Sequence, residues 1–292
     1  FVETLFITST HSHLLFFTNM GRVHRLRCFE LPLAGRQARG TAIVNMLQLA
    51  GGEKVTAVFP ISPDEDHGRY LVMATRHGMV KKTRVSEFAN IRKGGLIAIG
   101  LNEDDELIRV VFTSGQDDLI LGTLYGKSLR MNEKDIRAMG RNAHGVRGIS
   151  LSSGDEVVDM ALVSPGSQIL AITQNGMGKR TDESEYRVQN RGGKGIKVMN
   201  ITERTGRLVS VLVVDGTEEL MLISLDGTLI RMKVEDISCI SRDTQGVRLM
   251  RVDEGTQVVS VAVLQGEDDE DDEGEDTEGT EETEETTETE EE

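Results

Sequence analysis

One short motif, recurring five times at a nearly constant interval, constrains this chain more than any other feature. Segments 18–21, 75–78, 123–126, 173–176 and 224–227 each place a hydroxyl residue (Thr18, Thr75, Thr123, Thr173, Ser224) three positions before a glycine. Four positions after each glycine stands a base: Arg25, Lys82, Arg130, Arg180 and Arg231. The glycines lie 57, 48, 50 and 51 residues apart, a period near 50. A fixed period of that size marks a repeat architecture, in which each unit buries its apolar face against its neighbour.

Each anchor sits between two runs rich in apolar and β-branched residues, as in 168–173 before Gly176 and 177–181 after it. Asn175 with Gly176, and Asp226 with Gly227, suit the positive φ of a tight hairpin turn; glycine alone serves after Met20, His77 and Tyr125. A second glycine site follows some 17 to 19 residues later, at Gly40, Gly95, Gly145, Gly193 and Gly246. It leads into apolar runs at 43–47, 97–101, 146–151, 196–201 and 247–252, which read as strands. A polar turn such as 153–156 then opens the next unit's first strand, 157–163. Four strands per unit and no long helix predict an all-β fold, a β-propeller or pinwheel of four-stranded blades. Short helical turns are expected at 85–90 and 133–138. A pair of β-sandwiches is the alternative, but it leaves the fivefold recurrence unexplained. Residues 1–8 read as a strand, and the start at Phe1 points to a piece of a longer polypeptide.

The formal net charge of −16 argues against a nucleic-acid partner only until its distribution is considered. Residues 267–292 hold 18 acids and no base, leaving 31 acids against 33 bases elsewhere. Two regions follow: a repeat domain at 1–265, able to carry a basic face, and an acidic tail at 266–292, too polar to order itself. Cys28 and Cys239 are too few for a disulfide framework or a zinc site and are expected to be buried thiols of a cytoplasmic protein. No apolar run reaches the ~20 residues of a membrane span. His11 and His13 share a strand face without a third ligand nearby, so no metal is expected. Segment 35–41 has P-loop-like spacing but lacks its lysine. No nucleophile with a base is evident, and Tyr70, Tyr125 and Tyr186 are given no catalytic role.

The most informative segment runs from Gln189 through Asn190, Arg191, Gly192, Gly193 and Lys194 to Gly195. Its glycines free the backbone for close approach, while Arg187, Arg191, Lys194 and Lys197 concentrate positive charge there. That combination grips a phosphate backbone without reading bases. A solvated inter-strand loop is the competing reading.

This segment resembles the glycine-rich box of the bacterial DNA gyrase A subunit, Gln-(Arg/Lys)-Arg-Gly-Gly-(Arg/Lys)-Gly, departing only at Asn190. The likeness extends over about residues 1–265 and is strong at 1–27, 140–148 and 243–251. It implies a DNA-wrapping C-terminal domain of six blades, one of them upstream of Phe1 with the principal box; the copy at 189–195 is then a secondary one. The C-terminal domain of the topoisomerase IV A subunit is the nearest competitor, and a protein-binding propeller a further one. Repetition would carry Arg25, Lys82, Arg130, Arg180 and Arg231 around the disc as a track for double-stranded DNA, widened by Arg36, Arg39, Arg92, Lys93, Arg141, Arg147, Arg242 and Arg248. The resemblance further implies a holoenzyme of two A and two B subunits. Such an enzyme acts at the bacterial chromosome and uses ATP and Mg²⁺ elsewhere than in this chain, which itself would hold no cofactor, metal or catalytic residue.

Overall fold

The anchors do form hairpins, and the reason is visible at each turn. The glycine takes a positive φ (70° at Gly21, 82° at Gly78, 75° at Gly126, 73° at Gly176, 87° at Gly227). Its N–H returns to the carbonyl of the hydroxyl residue three positions earlier, at 2.9–3.0 Å. The hydroxyl itself has a use: Thr18 donates to Glu53 and Thr123 to Asp155, both at 2.8 Å, tying each hairpin to the turn that enters its unit's inner strand.

The computed structural model describes residues 8–35, 37–62 and 68–264; the expected strand at 1–8, Arg36 and the acidic tail fall outside them, Thr8 excepted. Five blades form a propeller. In the first, Val55–Ile61 pairs with the hairpin His13–Thr18 and Arg22–Arg27, which pairs with Leu96–Ile97. The second combines Leu107–Thr113, Tyr70–Thr75, Met79–Arg84 and Val146–Arg147. In the third stand Val157–Val163, Asp118–Thr123, Lys127–Asn132 and Ile196–Lys197. The fourth holds Leu208–Val214, Gln168–Thr173, Met177–Asp182 and Val247–Arg248. Three strands make the fifth among the described residues: Val258–Leu264, Glu219–Ser224 and Leu229–Lys233. All pairs in the sheets are antiparallel.

Two sequence expectations need correction. The fourth strand of a blade does not come from its own unit: each unit hands its outer strand to the hairpin of the unit before it. Arg22 thus faces Ile97 and Lys127 faces Lys197 across the register. These outer strands also span two residues rather than five or six, and the first unit's run contains a 3-10 turn, Ile43–Asn45, instead of a strand. The chain leaves the sheet after two residues because the next side chains turn inward; Ala98, Ile99, Val198 and Met199 are buried. The expected helical turns are short 3-10 segments, Val85–Phe88 and Glu133–Asp135.

Apolar cores lie between successive blades, which is why the first hairpin strands are buried along nearly their whole length. Leu15, Phe17 and Val23 of the first blade meet Leu71 and Met73 of the second, with Phe17 edge-on to Phe59 and Phe88 at centroid distances of 6.0 and 5.9 Å. Equivalent cores join the second blade to the third, the third to the fourth and the fourth to the fifth. At the hub, the five inner strands surround an axial channel lined by Thr56, Arg109, Val158, Ser210 and Val259. There Arg109 and Ser210 both donate to Asp159, each at 2.7 Å, bracketing three blades.

Candidate nucleic-acid interface

The two-residue outer strands form the rim. Each has the same pattern, a half-buried first residue and an exposed second one. The exposed positions are Ile97, Arg147, Lys197 and Arg248, so three consecutive blades present a cation at one structural position. Exposed Arg39, Arg92, Lys93, Arg187, Arg191 and Lys194 lie in the segments leading toward the second glycine sites. Sequence reasoning missed two neighbours that the repeat itself marks, the residue after the anchor glycine. Lys127 stands opposite Lys197, and Arg22 opposite Ile97, which supplies a base where the rim position is apolar.

The glycine that precedes each outer strand explains the close fit of the rim. Gly95, Gly145, Gly195 and Gly246 all have positive φ, from 69° to 87°. A Cβ at any of them would fall at or inside 3.0 Å of a carbonyl oxygen on the neighbouring hairpin strand. The requirement is therefore steric as well as conformational. Gly192 differs: its Cβ would meet only the Arg147 carbonyl, at 3.7 Å, where the segment passes over the preceding rim strand. Gly193 lies beside Leu129 at 3.2 Å. Gln189 is half-buried, and its backbone N–H donates to the Arg130 carbonyl at 2.8 Å.

The once-per-unit bases are mostly not on this rim, which corrects the expectation of a track built from them. Lys82 is buried, 3.5 Å from the Glu133 carboxylate, and donates to the Glu133 carbonyl at 2.8 Å. Arg130 joins Asp118 at 2.9 Å on its own hairpin and reaches Glu183 of the next unit. Arg180 donates to Gln168 at 2.8 Å and to the Glu235 and Ile237 carbonyls at 2.7 Å. These three side chains are braces between blades. Arg25 is half-buried and donates to the Ala89 carbonyl; Arg231 remains exposed, paired with Glu219. The partner acids had a signal in the repeat: Glu133 and Glu183 each follow an anchor base by three positions and serve the base of the preceding unit.

Beneath the rim lie two lysines with no solvent exposure. Lys81 donates to the Ala98 and Arg141 carbonyls, and Lys179 to the Ser241 carbonyl and, at 3.2 Å, to Thr244. Burial lowers them, Lys81 to about 7 and Lys179 to about 8. Burial also lowers His13, assisted by the charges of Arg25 and Arg27. The cysteines depart from expectation: Cys28 is half-buried and Cys239 exposed. Tyr186 is buried, and that burial holds its phenol protonated. Among the described residues no group of three or more His, Cys, Asp or Glu is placed to hold a metal, and no helix is long and apolar enough to cross a membrane.

Comparison with known proteins resolves the kinship. The family model for the DNA gyrase C-terminal domain, beta-propeller, matches residues 12–62, 69–114, 117–164, 167–215 and 218–265, one match per blade. The chain belongs to the DNA gyrase A C-terminal domain family. The DNA gyrase A subunit of Clostridium acetobutylicum is 50% identical over 268 residues, and that of Halalkalibacterium halodurans 57% identical over 270. Both alignments cover 92% of this chain and 32% of the relative, so the chain spans about a third of their length. Among solved structures, the C-terminal domain of DNA topoisomerase IV superposes with a TM-score of 0.82 at 28% identity, covering 88% of this chain and 80% of that one. A DNA gyrase A C-terminal domain gives 0.75 at 22% identity, covering 90% and 89%, a likeness of fold. The relatives' shared name is that of one component of a type II topoisomerase, and this chain corresponds to its non-catalytic domain.

Proposed function

We propose that this chain binds duplex DNA without sequence preference and bends it around the rim of the propeller, as the wrapping domain of a DNA gyrase A subunit. The observation that carries the reading is the repeated exposed cation of the outer strands, Arg147, Lys197 and Arg248, flanked by Arg92, Lys93, Arg187 and Lys194. Charges spaced by the blade repeat follow a curved line, and a stiff, evenly charged polymer laid along that line must bend. The elastic cost, ~1–6 kcal/mol for a site of 20–30 base pairs, is offset by phosphate contacts and released counterions. In the holoenzyme, two such chains with two B subunits would present the wrapped segment to the cleavage gate with one crossing sign. ATP and Mg²⁺ act elsewhere in that assembly, at the bacterial chromosome.

The test is affinity for a short duplex as a function of salt. The wild-type chain should lose affinity steeply as salt rises. Replacing Arg147, Lys197 and Arg248 together by glutamine should reduce the log–log slope by about 2.7, near 0.9 per lost contact. An unchanged slope would remove the rim from the binding surface.

A further inference from the structure

We infer that the glycine-rich segment acts here as a strut that spaces the rim cations, with Arg191 and its repeat equivalent Arg242 as positioning residues rather than phosphate contacts. The inference rests on the wrapping proposal and assigns those arginines a different task within it.

The strut is built from a repeated set of bonds. Arg191 stands four positions before Gly195, and Arg242 four before Gly246. Each turns its guanidinium toward the preceding rim strand: Arg191 Nη1 donates to the Arg147 carbonyl at 3.5 Å, and Arg242 Nη1 to the Lys197 carbonyl at 3.3 Å. Arg191 Nε also donates to the Asp135 carbonyl at 3.1 Å, so two sides of the fork are committed to the protein. Backbone bonds run in parallel. Gly192 N–H donates to the Gly148 carbonyl at 2.6 Å, Ser150 N–H to the Gly193 carbonyl at 2.8 Å, and Ser150 Oγ to the Gly192 carbonyl at 2.8 Å.

The distribution of struts separates this role from simple loop packing. A backbone stitch is present at all three steps between neighbouring outer strands: Gly100 to Ala143 at 3.0 Å, Ser150 to Gly193 at 2.8 Å, and Asn200 to Thr244 at 2.9 Å. The arginine bond occurs only at the two steps that join charged rim positions, Arg147 to Lys197 and Lys197 to Arg248. At the step from Ile97 the equivalent Arg141 lies 3.9 Å from Glu87 instead. Neighbouring cations repel, and a guanidinium bonded to the carbonyl beneath the first of them fixes the step to the next. The charge that meets phosphate is then that of the outer strands, and the arginine of the glycine-rich segment governs how sharply the line of charge curves.

The experiment pairs salt-dependent affinity with energy transfer between dyes at the ends of a short duplex, using the full chain. Arg191→Gln with Arg242→Gln should leave the salt slope within experimental error and lower end-to-end transfer. Arg191→Lys with Arg242→Lys, which keeps the charge but loses the fork, should fail to restore transfer. A slope reduced by about 1.8, transfer restored by lysine, or no change in either quantity would each overturn the strut. Circular dichroism of the variants separates a changed bend from a lost fold. Arg147→Gln alone should lower the slope by about 0.9; if it does not, the rim proposal fails, and the strut with it.

Discussion

At the scale of residues, the boundary between the second and third blades depends on a buried acid. Glu133 has no exposed side-chain surface; it faces Lys82 at 3.5 Å and accepts from the Thr113 hydroxyl at 2.8 Å and from the N–H groups of Gly115 and Asp117 at 2.8 and 2.9 Å. Glu133→Ala should destabilise the chain by ~3–5 kcal/mol, because it strands a buried ammonium, while Glu133→Gln should cost less. Urea unfolding of the two variants checks the order. The buried lysines add a pH dependence whose sign can be worked out. Their folded values, about 7 for Lys81 and about 8 for Lys179, lie below the ordinary 10.5. Between those limits the unfolded chain binds more protons than the folded one, so stability rises with pH from about 7 toward 10. Lys81→Met should flatten that rise by about 1 kcal/mol per pH unit, and an identical slope in the variant would contradict the assignment. The anchor bases show what a period reveals and what it hides. Their recurrence was plain in the sequence, but their direction depends on acids in the following unit, such as Glu183 for Arg130, 53 residues away.

Elements tell a similar story. The hairpins were legible because turn chemistry is local: a glycine, a hydroxyl three positions before it and apolar runs on either side. Outer strands were legible as apolar segments but not as strands lent to a neighbour, since hydrophobicity marks burial without naming the sheet. Val44 makes the point. It occupies the place of Ile99, Ile149, Met199 and Met250, which are 1–2% exposed, yet it is 62% exposed because no described hairpin receives its segment. The glycines at this junction carry a second consequence. Gly195→Ala should cost ~1–3 kcal/mol, from the positive φ of 69° together with the carbonyl close by, and thermal melting would reveal it. In the fifth blade, Leu229–Lys233 has no outer partner among the described residues, and Leu229 is 47% exposed. Amide exchange there should be faster than in Met177–Asp182, its counterpart in the fourth blade; equal protection would mean that something else covers that edge.

Over the whole molecule, charge is divided between a nearly neutral propeller and an acidic terminal segment of 18 carboxylates within residues 267–292. Such a segment competes with DNA for a basic rim, and the competition weakens as salt screens both. Ending the chain after Gln265 should therefore tighten DNA binding at low salt and change it little at high salt; equal affinity at both would leave the segment no part in binding. The propeller itself was legible from period and pattern. The rim was only partly so, because exposure is settled by which unit a strand joins, and that depends on packing rather than on local spacing. The central claim is that these outer-strand cations curve DNA in one sense. Sealing nicked circular DNA with ligase in the presence of the chain tests it most directly. The account predicts a linking-number shift of a single sign that grows with chain concentration and disappears when Arg147, Lys197 and Arg248 are all replaced by glutamine. No shift, or an equal shift from the triple variant, would contradict it.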